Sequence, residues 1–331
     1  MIDMTMDALR AAIGLEPGGD STRVHAGVHT DSRLIEAGGV FVALPGENTD
    51  GHRFLGSVAR RGGRVAIVSM DSAEIQAQGW ATDQELQALT LLQVPDPQLA
   101  LGQLAKAHLR QLREKSVAGQ GHLKLVAGIT GSAGKTTTKD LTRQLLSTLG
   151  PTVAPQGSFN NEIGLPLTVL EADAETQYLV LEMGASKPGD LRYLTDIAPL
   201  DLATVLMVGT AHLESYESVE GLAAEKSEIL TNLGPNAVAI LNADDPRVEA
   251  MSGRTSGRLL YFSARKSSPV QATSVRIDQD SRVSFHLQLP DGQAEVKLRL
   301  IGAHHLTNAL AAAAMAHLAG MSCVDIARVL N

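Results

Sequence analysis

The chain has 331 residues, 44% of them hydrophobic and 19% charged, with a mean hydropathy of +0.02. Such values fit a globular protein of about two domains and exclude a disordered or membrane-embedded chain. Acidic residues outnumber basic ones by 36 to 28, a net charge of −8, and no basic run interleaves with aromatics. A nucleic-acid groove is therefore not expected, and an anionic ligand has to be held by a few local cations. The one cysteine, Cys323, can build neither an internal disulfide nor a cysteine-rich metal site and fits a reducing compartment. Asp3, Asp7, Arg10, Glu16 and Asp20 interrupt any apolar stretch long enough for a signal peptide or membrane span. A cytoplasmic protein without membrane attachment is expected.

In chain order, residues 39 to 44 (GVFVAL) and 64 to 69 (RVAIVS) read as strands with a helix over 54 to 61 between them, a small α/β unit. Pro95 and Pro97 then introduce a helix over 98 to 115, where Leu101, Leu104, Ala105, Leu109 and Leu112 recur at helical spacing. The domain boundary is placed near residue 95, giving domains 1–95 and 96–331. From residue 123 the pattern becomes strand (123 to 130), glycine-rich turn (131 to 134) and helix (135 to 149, closed by Gly150 and Pro151). Strand-like runs return at 178 to 181, 202 to 208 and 238 to 241, separated by helical stretches such as 221 to 233. This alternation predicts an α/β fold whose mainly parallel sheet is covered by helices on both faces. Residues 283 to 289 and 294 to 300 flank Pro290-Asp291-Gly292 and predict a β-hairpin at an antiparallel edge.

Thr130-Gly131-Ser132-Ala133-Gly134-Lys135-Thr136-Thr137 lies between a predicted strand and a predicted helix, as a phosphate-binding loop must. Glycines let backbone N–H groups converge on oxygens, Lys135 brings a cation to the β- and γ-phosphates, and Thr136 offers a hydroxyl to Mg²⁺. Ile129 stands where the general pattern has glycine. The loop by itself says only that a nucleotide binds. Glu182 ends an apolar strand at the sheet's carboxyl edge, where a hard carboxylate suits Mg²⁺ and a solvated strand-end acid is the plainer alternative. Asn242 and Asn308 carry amides that can both donate to and accept from a purine, or cap a turn.

These segments stand in an order that resembles the Mur ligases. The likeness runs through TGSAGKT (130 to 136), GSFNNEIGLP (157 to 166), Glu182-Met183-Gly184-Ala185, Ala211-His212-Leu213, Lys226-Ser227-Glu228-Ile229, Asn242-Ala243-Asp244-Asp245 and Gly302-Ala303-His304-His305-Leu306-Thr307-Asn308. Thr30-Asp31-Ser32-Arg33, the run from Gly39 to Gly46, and Asp50-Gly51-His52-Arg53-Phe54 resemble the family's N-terminal domain, which grips the UDP end of the substrate. Ser158, Met207, Glu217 and His305 depart from the family's usual residues.

The resemblance implies ATP and Mg²⁺ as cofactors. ATP would be held by residues 130 to 137 with Asn242 and Asn308, the metal by Thr136, Glu182, His212 and a carbamylated Lys226, and the substrate by Ser32, Arg33, Gly46, Asn160 and Asn161. Carbamylation would turn a cation that repels Mg²⁺ into an oxygen donor. Lys135, Glu182, His212 and Lys226 would carry the chemistry; for Lys226 the alternative is a helix lysine pairing with a neighbouring glutamate. The Asn160-Asn161-Glu162 segment and Met183-Gly184-Ala185-Ser186 point to the branch that joins D-alanyl-D-alanine to a UDP-N-acetylmuramoyl tripeptide by way of an acyl phosphate. A branch that adds a single amino acid, and a nucleotide- and UDP-binding protein without turnover, stay open. A monomer is expected. Full-length relatives continue into a third domain that closes over ATP, and since the sequence ends at Asn331 that domain is expected to be absent.

Overall fold

Short apolar runs rich in Val, Ile and Leu build two main sheets and a small two-stranded one. The structure, a computed structural model, describes residues 1–46, 49–209, 216 and 218–331. The chain divides into two compact units, residues 1–121 with 166–174, and residues 122–165 with 175–331.

In the first unit β1 (Ile2–Thr5), α1 (Met6–Ala12) and β2 (Arg23–Ala26) form an antiparallel pair with its helix. Strands β3 (Val28–His29), β4 (Val40–Val42), β5 (Val65–Val68) and β6 (Thr90–Gln93) then make a four-stranded parallel sheet. The connections carry α2 (Leu55–Arg60), α3 (Ser72–Ala77) and α4 (Asp83–Gln87). All of β4 and β5 is buried, the signature of a parallel strand covered on both faces.

Helix α5 (Pro97–Val117) starts where Asp96 accepts from the backbone N–H groups of Gln98 and Leu99 and proline occupies the first turn. The sequence places it beyond a boundary near residue 95. In the structure its buried Leu101, Leu104 and Leu109 go with the first unit, whose stretch ends at Gly121. The separate segment 166–174 joins the same unit through the Met1 ammonium, which donates to the carbonyls of Glu171 and Ala172, and through His108, whose Nε2–H donates to Ala172 O at 2.8 Å. Burial pushes the His108 pKa down to about 4.

His52 is wholly buried in the first unit. Its Nε2 accepts from the Ser69 backbone N–H at 2.9 Å, so the proton sits on Nδ1 and is donated to Asp50 Oδ1 at 2.5 Å. The ring thereby joins the end of β5 to Asp50, which is bridged to Pro45 beside Gly46.

The second unit is organised on a nine-stranded sheet in the order β15-β14-β13-β12-β11-β10-β7-β9-β8. Its strands are β7 (Leu125–Thr130), β8 (Thr152–Val153), β9 (Tyr178–Glu182), β10 (Leu202–Val205), β11 (Val238–Asn242), β12 (Arg258–Ser263), β13 (Val270–Ile277), β14 (Arg282–Leu289) and β15 (Gly292–Ile301). From β8 to β13 every pairing is parallel, and β13-β14-β15 are antiparallel, the expected hairpin forming the edge.

Helices α6 (Lys135–Leu146), α7 (Gly164–Glu171, which passes into the first unit), α8 (Asp190–Ile197), α9 (Val219–Ser227), α10 (Pro246–Glu249), α11 (His305–Leu318) and α12 (Cys323–Leu330) connect the strands. On β14, Val283, Phe285, Leu287 and Leu289 point inward in alternation, whereas every residue of β7, β9, β10 and β11 is buried. Ala309 and Ala311 to Ala314 leave α11 thin enough to pack closely on α6 and the sheet. No helix among the described residues is long and apolar enough to cross a membrane.

Replacing His52 by alanine strands the Ser69 N–H and opens a cavity, so the first unit should lose about 2–4 kcal/mol. Urea unfolding followed by fluorescence of Trp80, which lies 6.5 Å from the His52 ring, should show the midpoint fall.

Candidate active site

Residues that end parallel strands converge at one edge of the large sheet: Thr130 on β7, Glu182 on β9 and Asn242 on β11, with Leu206 to Gly209 following β10. Open α/β sheets bind ligands at this carboxyl edge. Between β7 and α6 the chain turns through Gly134 at φ +85°, a left-handed conformation that favours glycine. A Cβ there would also stand 2.3 Å from Asn308 Oδ1 on α11. Helix α6 then begins with no side-chain cap, leaving its first N–H groups free for an anion. Ser132 is fixed on both sides, its N–H donating to Met207 O at 3.0 Å and its hydroxyl accepting from Gly209 N–H at 2.9 Å. Ala133 is exposed and Thr137 half-buried.

Lys135 folds back to donate to Gly131 O at 2.9 Å, and burial lowers its pKa, the charge of Glu182 opposing the shift. Gly131, Lys135, Asn160, Asn161, Glu162, Gly184, Ser186, Asp190, Tyr193 and Lys226 line one cleft of about 240 Å³. Glu182 is only 1% exposed: Asn160 Nδ2 donates to its Oε1 at 2.7 Å, while Oε2 is buried with no hydrogen-bond partner among the described residues. Asn160 is itself locked, because its carbonyl accepts from Gly184 N–H at 2.8 Å and a Cβ on Gly184 would lie 2.8 Å from its Oδ1. Thr136 Oγ1 stands 3.4 Å from Ser158 Oγ. Lys226, presented by α9, is 4% exposed, and its pKa is lowered to about 8, first by burial and then by the charge of Lys135, with Glu225 opposing. Glu225 fastens α9 to the start of α8, accepting from the N–H groups of Gly189 at 2.8 Å and Leu191 at 3.0 Å.

A second cleft of about 700 Å³ is lined by Ala133, Gly134, Met207, Asn242, Asp245, Arg247, His304, Thr307 and Asn308. Asn242 lies in its wall with its amide already engaged, donating to Leu206 O at 2.8 Å and accepting from Asp244 N–H at 3.0 Å. Asp245 likewise accepts from Val208 N–H at 2.8 Å. Both side chains shape the wall through the backbone after β10.

The structure thus brings Gly131, Lys135, Asn160, Asn161, Glu182 and Lys226 together, and gathers Asn242 and Asn308 beside Gly134. Asn160 and Asn161, expected to hold substrate, have their side chains engaged within the protein; Asn161 Oδ1 accepts from Ile163 N–H at 3.3 Å and from Gly164 N–H at 2.9 Å. His212 lies outside the described residues. In the first unit Ser32 is buried and Arg33 exposed, its guanidinium on Asp31 holding that carboxyl down to about 2. A Cβ on Gly46 would come 2.9 Å from Thr49 O. The sequence reading gives no site role to Glu162 and Ser186, although both stand in the motifs quoted above, and it does not single out Asp190 and Tyr193; all four line the cleft. Asp190, one residue after a glycine at the start of α8, is the signal that could have found the last two.

A glycine turn at the carboxyl end of a central parallel strand, opening onto an uncapped helix that begins with a half-buried lysine, defines a phosphate-loop α/β protein. The Mur ligase middle domain matches residues 129–316, and the Mur ligase family catalytic domain matches residues 24–109. The chain belongs to the Mur ligase family. It is 40% identical over 321 residues to a UDP-N-acetylmuramoyl-tripeptide--D-alanyl-D-alanine ligase of Mycobacterium bovis, covering 93% of this chain and 60% of that protein. The enzyme of that name from Escherichia coli is 34% identical, with coverages of 95% and 65%. A crystal structure of MurF from Acinetobacter baumannii superposes with a TM-score of 0.83 at 33% identity, over 100% of this chain and 68% of that one. The MurF ligase from Thermotoga maritima in complex with ADP gives 0.74 at 28% identity, over 92% and 66%. The chain spans about 60% of the length of the relatives it matches in Mycobacterium bovis and Mycobacterium tuberculosis.

Gly134→Ala should disable the loop, since it combines backbone strain at φ +85° with a collision against Asn308. Titration with a fluorescent ADP analogue should show affinity reduced by at least about tenfold, a loss of about 1.4 kcal/mol.

Proposed function

We propose that this chain serves ATP-dependent amide-bond formation of the MurF type, joining D-alanyl-D-alanine to a UDP-N-acetylmuramoyl tripeptide. The observation that carries the reading is the pairing of a phosphate loop with the half-satisfied carboxylate of Glu182, in a chain 40% identical to a ligase of that name. Amide formation from a carboxylate is uphill in water. Transfer of the γ-phosphoryl group to that carboxylate gives an acyl phosphate that an amine can attack with loss of phosphate, and such a transfer is catalysed by positioning and charge neutralisation. A loop, a lysine and a hard carboxylate supply these needs.

The residues fit a magnesium ion. Glu182 Oε2 is a buried oxygen without a partner among the described residues, and Thr136 offers a hydroxyl from the first turn of α6. When bound, the metal would neutralise phosphate charge as a Lewis acid. The chain's own groups do the rest: backbone N–H groups at the start of α6 orient the phosphates, Lys135 adds a cation, and Asn160 keeps Glu182 in one rotamer.

Lys226 as an ammonium ion would oppose both the metal and Lys135. Its pKa of about 8 leaves roughly a tenth of it as free amine at pH 7. That amine can add CO₂ with loss of one proton to give a carbamate, which reverses the sign of the charge beside Lys135. Because only the free amine reacts, adduct formation should rise between about pH 6.5 and 8. A ¹³C carbamate resonance is expected with labelled bicarbonate and should be missing in Lys226→Arg.

In the first unit, the Ser32–Arg33 turn and the Gly46 loop would take the uridine diphosphate, the guanidinium fork of Arg33 turning from Asp31 toward a phosphate. Two titrations and a turnover assay test the reading. Lys135→Ala should weaken Mg·ADP binding at least about 30-fold, a loss of about 2 kcal/mol or more, and UDP should shift the amide resonances of Ser32 and Arg33. UDP-muramoyl tripeptide, D-alanyl-D-alanine and Mg·ATP are then supplied and the pentapeptide product followed by mass spectrometry. Intact nucleotide binding without product would confine the chain to binding; unchanged affinity in Lys135→Ala would overturn the loop assignment.

A further inference from the structure

A second lysine lies one turn beyond Lys135 on α6, and the chemistry above makes no use of it. Lys139 is 2% exposed. A buried ammonium needs partners for each of its three protons. Nζ donates to Pro155 O at 2.8 Å and to Gly157 O at 3.4 Å, and pairs with Asp140 Oδ1 at 2.8 Å. Asp140 is half exposed, so the pair can screen the lysine charge without a second ion being buried.

The two carbonyls belong to the loop between β8 and α7. Among the described residues no backbone–backbone hydrogen bond holds residues 154 to 159, and Gly157, Ser158 and Phe159 are all exposed. Gly157 adopts φ +69° with nothing near a Cβ position, so its shape is local and needs an external anchor. Downstream, Ser158 contacts Thr136, the Phe159 backbone packs closely on Gly164 at the start of α7, and Asn160 reaches Glu182 and Gly184. The loop is thus attached at its far end to the carboxylate and at its near end to the phosphate-loop helix, and Lys139 makes the near attachment.

We propose that Lys139 is a positioning residue, which through the carbonyls of Pro155 and Gly157 sets the register at which Asn160 reaches Glu182 and so tunes the hold on a divalent cation with its nucleotide. The effect on cation binding rests on the proposed function of the cleft; the clamp on the loop does not. Metal-free ADP needs only the loop N–H groups and Lys135, whereas the metal complex also needs Glu182 correctly turned. A defect passing through the clamp therefore separates the two ligands, and a general loss of packing does not.

The test uses the full chain and Lys139→Met. Amide hydrogen exchange should quicken at least about tenfold over residues 156 to 161 while β7 and α11 keep their protection. In calorimetric titrations Mg·ADP affinity should fall about tenfold, with ADP in EDTA within about twofold of wild type. Lys139→Arg, which keeps a charge and several donors, should recover most of the Mg·ADP affinity. Unchanged exchange at 156 to 161, or equal losses with and without Mg²⁺, would overturn the proposal. If Lys139→Met does not fold, Lys139→Gln, with one N–H donor line kept, is judged by the same criteria. If the wild-type chain binds ADP neither with nor without Mg²⁺, the proposed function fails, and exchange alone decides the clamp.

Discussion

A carboxylate taken out of water must be compensated, and at Glu182 the compensation is half complete. One oxygen receives the amide of Asn160 and the other receives no hydrogen bond from any described residue. Much of the second unit follows from keeping that group where it is. Strand β9 has to end beside β7 so that the carboxylate emerges next to the phosphate loop, and residue 184 has to lack a Cβ so that Asn160 can approach. The bond from Gly184 N–H to Asn160 O then fixes the backbone from which the amide reaches. A hydrogen bond to a charged group is worth about 1.5–3 kcal/mol, so the arrangement can afford a single organising contact and leave the second oxygen for a ligand.

The parts legible in the sequence are those in which chemistry and geometry are local. Gly131, Gly134 and Lys135 sit within five residues of one another, and the need for a left-handed turn before a helix is written into the glycine itself. The hairpin at Pro290–Gly292 was legible for the same reason, since alternation and turn residues are neighbours in the chain. The single bond on which Glu182 depends was not, because Asn160 and Glu182 are 22 residues apart and only the pairing of β7 with β9 makes them adjacent. The engagement of Asn242 with Leu206 O is hidden for the same reason.

Other elements were missed for weaker signals. Strands β12 and β13 are partly exposed and mix charges with apolar residues, and β1 has four residues including Asp3. Helix α12 has only eight residues, and the sequence reading places no element there. The boundary near residue 95 rests on Pro95 and Pro97, which stand at the start of the expected helix. Proline in a first helical turn marks only where a helix begins, and the burial of Leu101 and Leu104 shows which unit that helix serves.

The division of the first unit into residues 1–121 and 166–174 bears on the order of events during synthesis. The Met1 ammonium and His108 find their acceptors on Glu171 and Ala172, so the first unit cannot complete its contacts until the ribosome has passed residue 174. By then β7, the phosphate loop and α6 have already been made, while their partners β9, β10 and α11 have not. Parallel pairing across such separations is slow to form and leaves strand edges unpaired meanwhile. The nascent chain therefore holds an incomplete sheet between two pieces of a nearly complete unit, an interval in which a holding chaperone would find exposed apolar strand rather than a finished domain.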